Sequence, residues 1–195
     1  MTQSVLACID GSVYARSVAE HAGWAAARLE LGVELLTVLG RREAPPVEDR
    51  SGSLAAGARR QLLEELAALD AERARLLQSQ ARLDLAEARA HAEAAGAPGG
   101  VAELLRRGDL LEALAERESA AALLVLGKRG EAADFAKLHL GSNLERILRA
   151  SRVPVLVAAR AFRPISRFAL AFDGRPSALK AVDAIMPDAG NSRPS

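Results

Sequence analysis

The chain has 195 residues, half of them hydrophobic and only 3% aromatic, and its 26 basic residues nearly balance 25 acidic ones. This length predicts one α/β domain with about 30 to 40 residues to spare, and the small net charge excludes the basic field that nucleic-acid binding needs. A single cysteine excludes an intrachain disulfide framework, and the absence of a signal-peptide pattern or a long uncharged apolar run predicts a cytoplasmic protein outside the membrane.

The first elements follow directly from the start of the chain. The apolar run from Ser4 to Asp10 ends in Asp-Gly-Ser, which predicts a buried strand that turns at its carboxyl end. A helix should follow, capped by Ser12 or Asp10. Its apolar side chains are expected on one face: Val18, Ala22, Ala25 and Leu29. A second buried strand is predicted from Gly32 to Gly40.

A long helix is predicted after a polar loop. Residues 41–57 are rich in proline, glycine and charge, whereas Arg59 to about Ala95 consists almost entirely of strong helix formers. Leucines recur in this helix every seven residues: Leu62, Leu69, Leu76 and Leu83. Such spacing is typical of a leucine zipper, but most intermediate heptad positions are polar. A helix packed on a sheet or folded as a hairpin is therefore favoured, with the zipper as the alternative.

The remaining segments complete an alternating pattern. A strand is predicted near Val101 to Leu105, a helix capped by Asp109, a strand from Ala122 to Gly127, a helix from Ser142 to about Ala150, and a strand from Val153 to Ala159. This order predicts an α/β fold with an open parallel five-stranded sheet and helices on both faces. Ligands on such sheets bind at the carboxyl ends of strands, where Asp10 and Gly127 lie.

An internal repeat divides the chain. Val5 to Ala22 aligns without gaps with Phe168 to Ile185, and Asp-Gly occurs at the same place in both segments. We therefore expect a first domain over residues 1–162. Residues 163–195 would be the truncated start of a second repeat, with one strand, one helix and a polar, disordered tail, which is too little chain to bury a core alone.

The glycine-rich segment after the fourth strand is the main candidate site. Gly127 and Gly130 bracket two basic residues, and Gly141, Ser142 and Asn143 open the next helix. Glycines permit close approach of the backbone to a ligand, and a helix N-terminus favours an anion, so this loop can cradle a phosphate. The alternative is a plain turn followed by a capping box of Ser142 and Glu145.

Other candidate chemistry is sparse. His21, His91 and His139 are far apart in the sequence, so we expect no metal site. Cys8 lies within a buried strand, where a thiol usually packs and does not react. The chain contains no nucleophile elbow and no helical H-E-x-x-H motif, so no catalytic residue is predicted.

Four separated motifs, "ACIDGS", "LLTVLG", "LLVLGKRG" with "LGSNLERIL", and "VPVLVAA", together resemble the universal stress protein family, whose fold is Rossmann-like. The repeated Asp-Gly start resembles the tandem-domain members. The likeness covers Ser4 to Ala159 and resumes from Arg167 to about Ile185. Nucleotide-binding members carry G-x2-G-x9-G-[ST], which is matched here by Gly127, Gly130, Gly141 and Ser142, with ten residues where the pattern has nine.

The resemblance implies an adenine-nucleotide site. Asp10 would meet the adenosine, and Val38 would lie near the base or ribose. The ribose and triphosphate would be lined by Leu126, Gly127, Gly130, Gly141, Ser142 and Asn143. The implied ligand is ATP, or ADP or AMP in its place, with Mg²⁺ as a companion of the phosphates, and the implied assembly is a homodimer.

The resulting expectation is a stress-response sensor or regulator that binds nucleotide and performs at most slow ATP hydrolysis. The alternative is an interaction module that dimerises without nucleotide, and an adenylating enzyme or ATPase is a weaker third possibility. The extra residue before Gly141 bears on the choice between the nucleotide-binding regulator and the interaction module. Either the loop accommodates this residue and ATP still binds, or the residue marks a loss of ATP binding.

Overall fold

A computed structural model of the chain describes residues 3–40, 56–128 and 142–185. In chain order the described elements are β1 (Ser4–Cys8), α1 (Ala15–Leu29), β2 (Gly32–Gly40), α2 (Ala56–Ala94), β3 (Val101–Gly108), α3 (Leu110–Glu118), β4 (Ala121–Gly127), α4 (Ser142–Ala150), β5 (Val155–Ala158) and α5 (Pro176–Ile185). The chain divides into two compact units, Met1–Phe162 and Arg163–Ser195.

The described strands form one five-stranded sheet in the order β3-β2-β1-β4-β5, and every pair is parallel. The predicted α/β fold with an open parallel sheet is therefore confirmed. The chain builds the sheet outward from β1 to β3, then returns to the other side of β1 to add β4 and β5. The strand order thus reverses between β1 and β4, which is the place where open α/β sheets form ligand crevices.

Alternating side chains of the central strands form two cores. Val5 and Ala7 of β1 face α1 and α2, whereas Leu6 faces α3 and α4. Because successive strand residues point to opposite faces, a strand covered on both sides must be apolar throughout, and this explains the continuous apolar runs in the sequence.

The close approach of α1 and α2 depends on Gly23. A Cβ atom at this position would collide with the carbonyl oxygen of Ala92 and lie 2.9 Å from the Cβ of Ala95. A Cβ essentially never comes this close to another atom, so only glycine allows the two helices their present separation.

The long helix α2 packs on the sheet only through its C-terminal part. Four side chains there are buried: Ala81, Leu85, Ala88 and Ala92. The described side chains from Arg60 to Arg73 are all exposed. The interpretation as a helix laid on a sheet holds for this second part, and α2 continues for 39 residues without folding into a hairpin.

The N-terminus of α1 differs from the prediction. The helix starts at Ala15 with Tyr14 at the capping position and no side-chain cap, so the expected caps are wrong. The side chains of Asp10 and Ser12 instead bond to the backbone of the turn before the helix. Leu29, expected on the buried face, is 49% exposed. The predicted cap of α3 is correct, because the Asp109 carboxylate accepts bonds from the first turn.

β2 contains a buried charge that the sequence analysis did not single out. Glu34 is the third residue of this strand, and its Oε1 lies 2.5 Å from Nη2 of Arg117 on α3. The two atoms form an ion pair without hydrogen-bond alignment. The Glu34 carboxylate raises the pKa of the Arg117 guanidinium, and the ion pair joins α3 to the sheet.

The end of the first unit is fixed to α1 by buried polar groups. Oγ of Ser17 donates a 2.7 Å hydrogen bond to the carbonyl oxygen of Ala159. His21 is 5% exposed, its Nδ1 lies 2.7 Å from the carbonyl oxygen of Ser17, and its ring meets Phe162 edge-on. His21 is therefore a packed and hydrogen-bonded core histidine.

The second unit contains α5 but no strand among its described residues. Residues 164–173 have no regular secondary structure, so the strand predicted there is not formed in this structure. A strand requires a neighbouring strand for its backbone hydrogen bonds. Phe168 and Phe172 are accordingly exposed by 65% and 57%. The predicted tail, residues 186–195, lies outside the described residues.

Candidate functional site

Three of the predicted site residues lie along one edge of the sheet. Cys8 pairs with Leu36 of β2, and this register places Asp10 level with Val38. Ala7 pairs with Val125 of β4, which places Ile9, the neighbour of Asp10, level with Gly127. Parallel strands end at the same edge, so the three residues meet beside the reversal in strand order.

A side chain of β2 holds the backbone just before Asp10. Oγ1 of Thr37 donates a 2.9 Å hydrogen bond to the carbonyl oxygen of Ile9, and the backbone N–H of Ile9 donates to Leu36 at 2.9 Å. Thr37 is 7% exposed and Ile9 is 2% exposed. These two bonds extend the pairing of β1 and β2 past the last strand residue and fix the position from which Asp10 projects.

Asp10 itself forms a local turn. Its Oδ1 accepts a 3.2 Å hydrogen bond from the backbone N–H of Ser12, and Oγ of Ser12 accepts one of the same length from Tyr14. The same turn recurs in the second unit, where Oδ1 of Asp173 accepts a 3.0 Å bond from the N–H of Arg175. Among the described residues Oδ2 of Asp10 has no hydrogen-bond partner, so it remains an acceptor at the edge of the sheet.

The other predicted site residues differ in what they can contribute. Val38 is half-buried and packs against the core beside α3 and α4. Leu126 is only 4% exposed, so its side chain belongs to that core and only its backbone can meet a ligand. Gly130 and Gly141 lie outside the described residues, and Ser142 and Asn143 form the start of α4.

A pocket of about 210 Å³ lies next to Asp10. It is lined by the turn after β1, the start of α1 and one face of α2: Asp10, Gly11, Ser12, Val13, Ala15, Arg16, Asp84, Glu87, Ala88 and His91. Val38, Leu126 and Gly127 are not part of this lining. The α2 residues recur at intervals of three and four, which is a helical face that the sequence alone could have indicated.

Most of the ionisable side chains that line this pocket are acidic. Its carboxylates come from Asp10, Asp84 and Glu87, and its basic groups are Arg16 and His91. Nε of Arg16 is already 3.0 Å from Glu20, and Nε2 of His91 is 3.7 Å from Glu87. Three carboxylates repel a phosphate, so this side of Asp10 suits a neutral or hydrogen-bond-donating group.

Cys8 lies two residues before Asp10 and is a free thiol. Burial raises its pKa to about 12, and the negative charge of Asp10 adds to the shift. The thiol therefore stays protonated at neutral pH, and a protonated thiol is a poor nucleophile and metal ligand.

Within residues 3–40, 56–128 and 142–185, no group of three or more histidine, cysteine, aspartate or glutamate side chains is arranged to hold a metal ion. In the same ranges, no helix has the length and apolar character that crossing a membrane requires.

The comparisons with known proteins agree on one family. The model of the universal stress protein family matches residues 1–159. Universal stress protein Slr1230 from a Synechocystis strain is 36% identical over 180 residues, which are 91% of this chain. The match spans 62% of the length of that relative. A match over 91% of this chain is longer than the first unit, so part of it falls in the second unit.

Solved structures of the same family share the fold. A universal stress protein in complex with cAMP is 24% identical, with a TM-score of 0.52 over 82% of this chain and 98% of its own. The universal stress protein from Archaeoglobus fulgidus in complex with dAMP is 16% identical, with a TM-score of 0.51 over 80% of this chain and 98% of its own. At these identities the likeness shows the fold alone.

Proposed function

The chain belongs to the universal stress protein family, and we propose that it is a cytoplasmic stress-response regulator that binds ATP or a related adenine nucleotide at the carboxyl edge of its sheet. The observation that carries the proposal is the alignment of Val38, Asp10 and Gly127 beside the reversal in strand order. Two solved members of the family are complexes with cAMP and dAMP, which supports an adenine nucleotide as the ligand class.

The charges along this edge suggest the orientation of the nucleotide. The nucleoside would lie against Asp10 and Val38, where Oδ2 of Asp10 accepts a hydrogen bond from a hydroxyl or amino group and Val38 contributes apolar contact. The phosphates would lie towards Gly127 and the N-terminus of α4, away from the acidic pocket. Mg²⁺ would accompany the phosphates of ATP and is not required for the nucleoside contacts.

The residues of the edge fit such a ligand. A fixed carboxylate acceptor, a half-buried valine and a glycine at a strand end are the kinds of group that position a nucleoside and leave room for its phosphates. We assign binding to these residues and no catalytic step. Slow hydrolysis of ATP is measured separately as phosphate release.

The proposal is tested by titrating ATP, AMP and GTP into the protein by calorimetry, with and without Mg²⁺. Asp10→Asn should weaken ATP binding about 10- to 100-fold, because a hydrogen bond to a charged group contributes about 1.5 to 3 kcal/mol. The amide can still accept the bond from Ser12, so the turn should persist.

Asp109→Asn is the matched control, since it makes the same change at the cap of α3, where asparagine caps equally well. Unaltered ATP affinity in Asp10→Asn, or no heat with any of the nucleotides at millimolar concentration, would mean that the site is wrongly assigned. In the latter case the alternative function, an interaction module without nucleotide, becomes the better description, in agreement with the extra residue before Gly141.

We also propose that residues 163–195 correspond to the start of a second repeat, as in tandem members. The support is the repeated turn, in which Asp10 and Asp173 each accept a bond from the backbone N–H two residues later, followed by a helix in both cases. Hydrogen exchange should show lower protection in Arg167 to Ile185 than in the first unit, because one helix without a sheet buries little apolar surface. Equal protection would contradict this.

A further inference from the structure

The N-terminal part of α2 carries an exposed stripe of leucines. Seven leucines between residues 62 and 83 are 48% to 66% exposed: Leu62, Leu63, Leu66, Leu69, Leu76, Leu77 and Leu83. With 3.6 residues per turn they fall within roughly 160° of the helix circumference, along about 33 Å of its length. We call these seven side chains the leucine stripe.

The fold of the monomer does not account for the stripe. Among the described residues nothing covers these leucines, and α2 reaches the sheet only near Gln78, whose side chain accepts a bond from Arg107 of β3. Helices in water gain most of their stability by packing an apolar face, and contiguous exposed apolar surface of this kind usually marks an interface.

The charges of this segment indicate what covers the stripe. Between Leu62 and Leu83 every acidic residue precedes position 73, and every basic residue follows position 72. The segment is therefore negative in its first half and positive in its second. Two copies that run antiparallel place opposite charges side by side, whereas two parallel copies place like charges together.

The leucines agree with the same arrangement. A twofold axis between Glu72 and Arg73 brings Leu69 opposite Leu76 of a second copy, and Leu62 opposite Leu83 of that copy. Glu72 then faces Arg73 of the second copy. In a parallel pair each Arg73 would face its equivalent within the apolar stripe, which is unfavourable.

We propose that residues 62–83 of α2 form a homodimer interface in which two copies of the chain pair antiparallel through the leucine stripe. The stripe ends at Leu83, next to Asp84 of the pocket beside Asp10, but none of its seven leucines lines that pocket. The interface can therefore be tested separately from nucleotide binding.

The first test is sedimentation equilibrium of the full chain and two variants. The unmodified chain should dimerise at micromolar concentration, and Leu69→Glu should raise the dimer dissociation constant at least about 100-fold, since a charge replaces an apolar side chain opposite Leu76. Ala71→Glu adds the same charge on the far face of the helix and should leave the constant unchanged. Leu69 is 62% exposed, so the variant should keep its fold, which circular dichroism checks.

Disulfide formation tests the orientation, in a Cys8→Ala background. An oxidised mixture of Leu62→Cys and Leu83→Cys chains should form mixed dimers, whereas neither variant should link to itself, because equivalent positions lie about 31 Å apart at 1.5 Å per residue. The interface would be overturned if the unmodified chain stayed monomeric up to roughly 100 micromolar. It would also be overturned if Leu69→Glu left the dimer dissociation constant unchanged. Self-linking of Leu62→Cys chains would overturn the antiparallel arrangement in favour of a parallel zipper.

Discussion

The hydroxyl of Thr37 donates a 2.9 Å hydrogen bond to the carbonyl oxygen of Ile9, one residue before Asp10. Thr37→Val keeps the shape of the side chain but leaves the buried carbonyl without this donor, which costs about 1 to 3 kcal/mol. We expect a lower free energy of unfolding and weaker ATP binding, because Asp10 loses part of its support. Urea denaturation and calorimetry measure the two effects.

Thr37→Ser is the control for that substitution. Serine retains the hydroxyl, so ATP binding should stay within a few-fold of the unmodified protein even if the lost methyl group lowers stability. If the valine and serine variants bind ATP equally, the bond to Ile9 does not position Asp10.

Gly23→Ala should destabilise the first unit. The added Cβ meets the backbone of Ala92 on α2, and relieving such a contact typically costs about 1 to 3 kcal/mol. The higher helix propensity of alanine, about 1 kcal/mol, offsets part of this cost. Gly40→Ala is the matched control, since a Cβ there has no atom within 4 Å among the described residues. Equal urea midpoints for the two variants would show that α1 can move away from α2 without lowering the free energy of unfolding.

Glu118 should contribute stability that depends on pH. The backbone N–H of Arg152 donates to its Oε1 at 2.5 Å, and the hydroxyl of Ser151 donates at 2.9 Å, which together hold the pKa of this carboxyl below its usual range. A lowered pKa in the folded state means that the stabilisation is present above the unfolded pKa, about 4.3, and is lost as the pH falls through the folded value.

Glu118→Gln should therefore lower the free energy of unfolding by about 1 kcal/mol or less at pH 7, and the difference should shrink below about pH 4. Urea denaturation at a series of pH values measures this, with the exposed Glu116 of the same helix, changed to glutamine, as control. A difference that is constant from pH 3 to 7 would contradict the assignment.

The thiol of Cys8 should react slowly with iodoacetamide in the folded protein, because its pKa is raised to about 12 by burial and by the charge of Asp10. Asp10→Asn removes the second contribution, lowers the thiol pKa and should raise the alkylation rate at pH 8 a few-fold. Burial, the larger cause, remains, so the rate should stay below that of the unfolded chain. If Asp10→Asn and the control Asp109→Asn are alkylated at the same rate, the charge of Asp10 does not affect the pKa of the Cys8 thiol.

Much of the fold could be predicted from the sequence, since β1, β2 and β4 are mainly apolar runs and the segments between them are rich in helix formers. The ends of elements were less predictable. β3 extends to Gly108 beyond its expected end at Leu105, because pairing with β2 continues to Gly40. The turn before α1 illustrates the same limit, because the side chains of Asp10 and Ser12 can cap a helix or stabilise a turn, and both uses have the same local sequence.

The candidate site could be predicted only in part. Val38, Asp10 and Gly127 were named from motifs, but the register of β1 with β2 and β4 is what aligns them. The pocket beside Asp10 combines this turn with Asp84, Glu87 and His91, more than 70 residues later in the chain. Nothing local to either segment indicates the contact, because it depends on how α2 lies across the sheet.

The sequence by itself therefore determined the class of fold, the family and the order of the strands and helices, because apolar periodicity and turn chemistry act over a few neighbouring residues. Only the tertiary structure decided which half of α2 is buried, that Thr37 supports Asp10, and that Glu34 pairs with Arg117. These relationships join residues that are distant in the chain, and their energies depend on burial and distance, which exist only once the sheet has assembled.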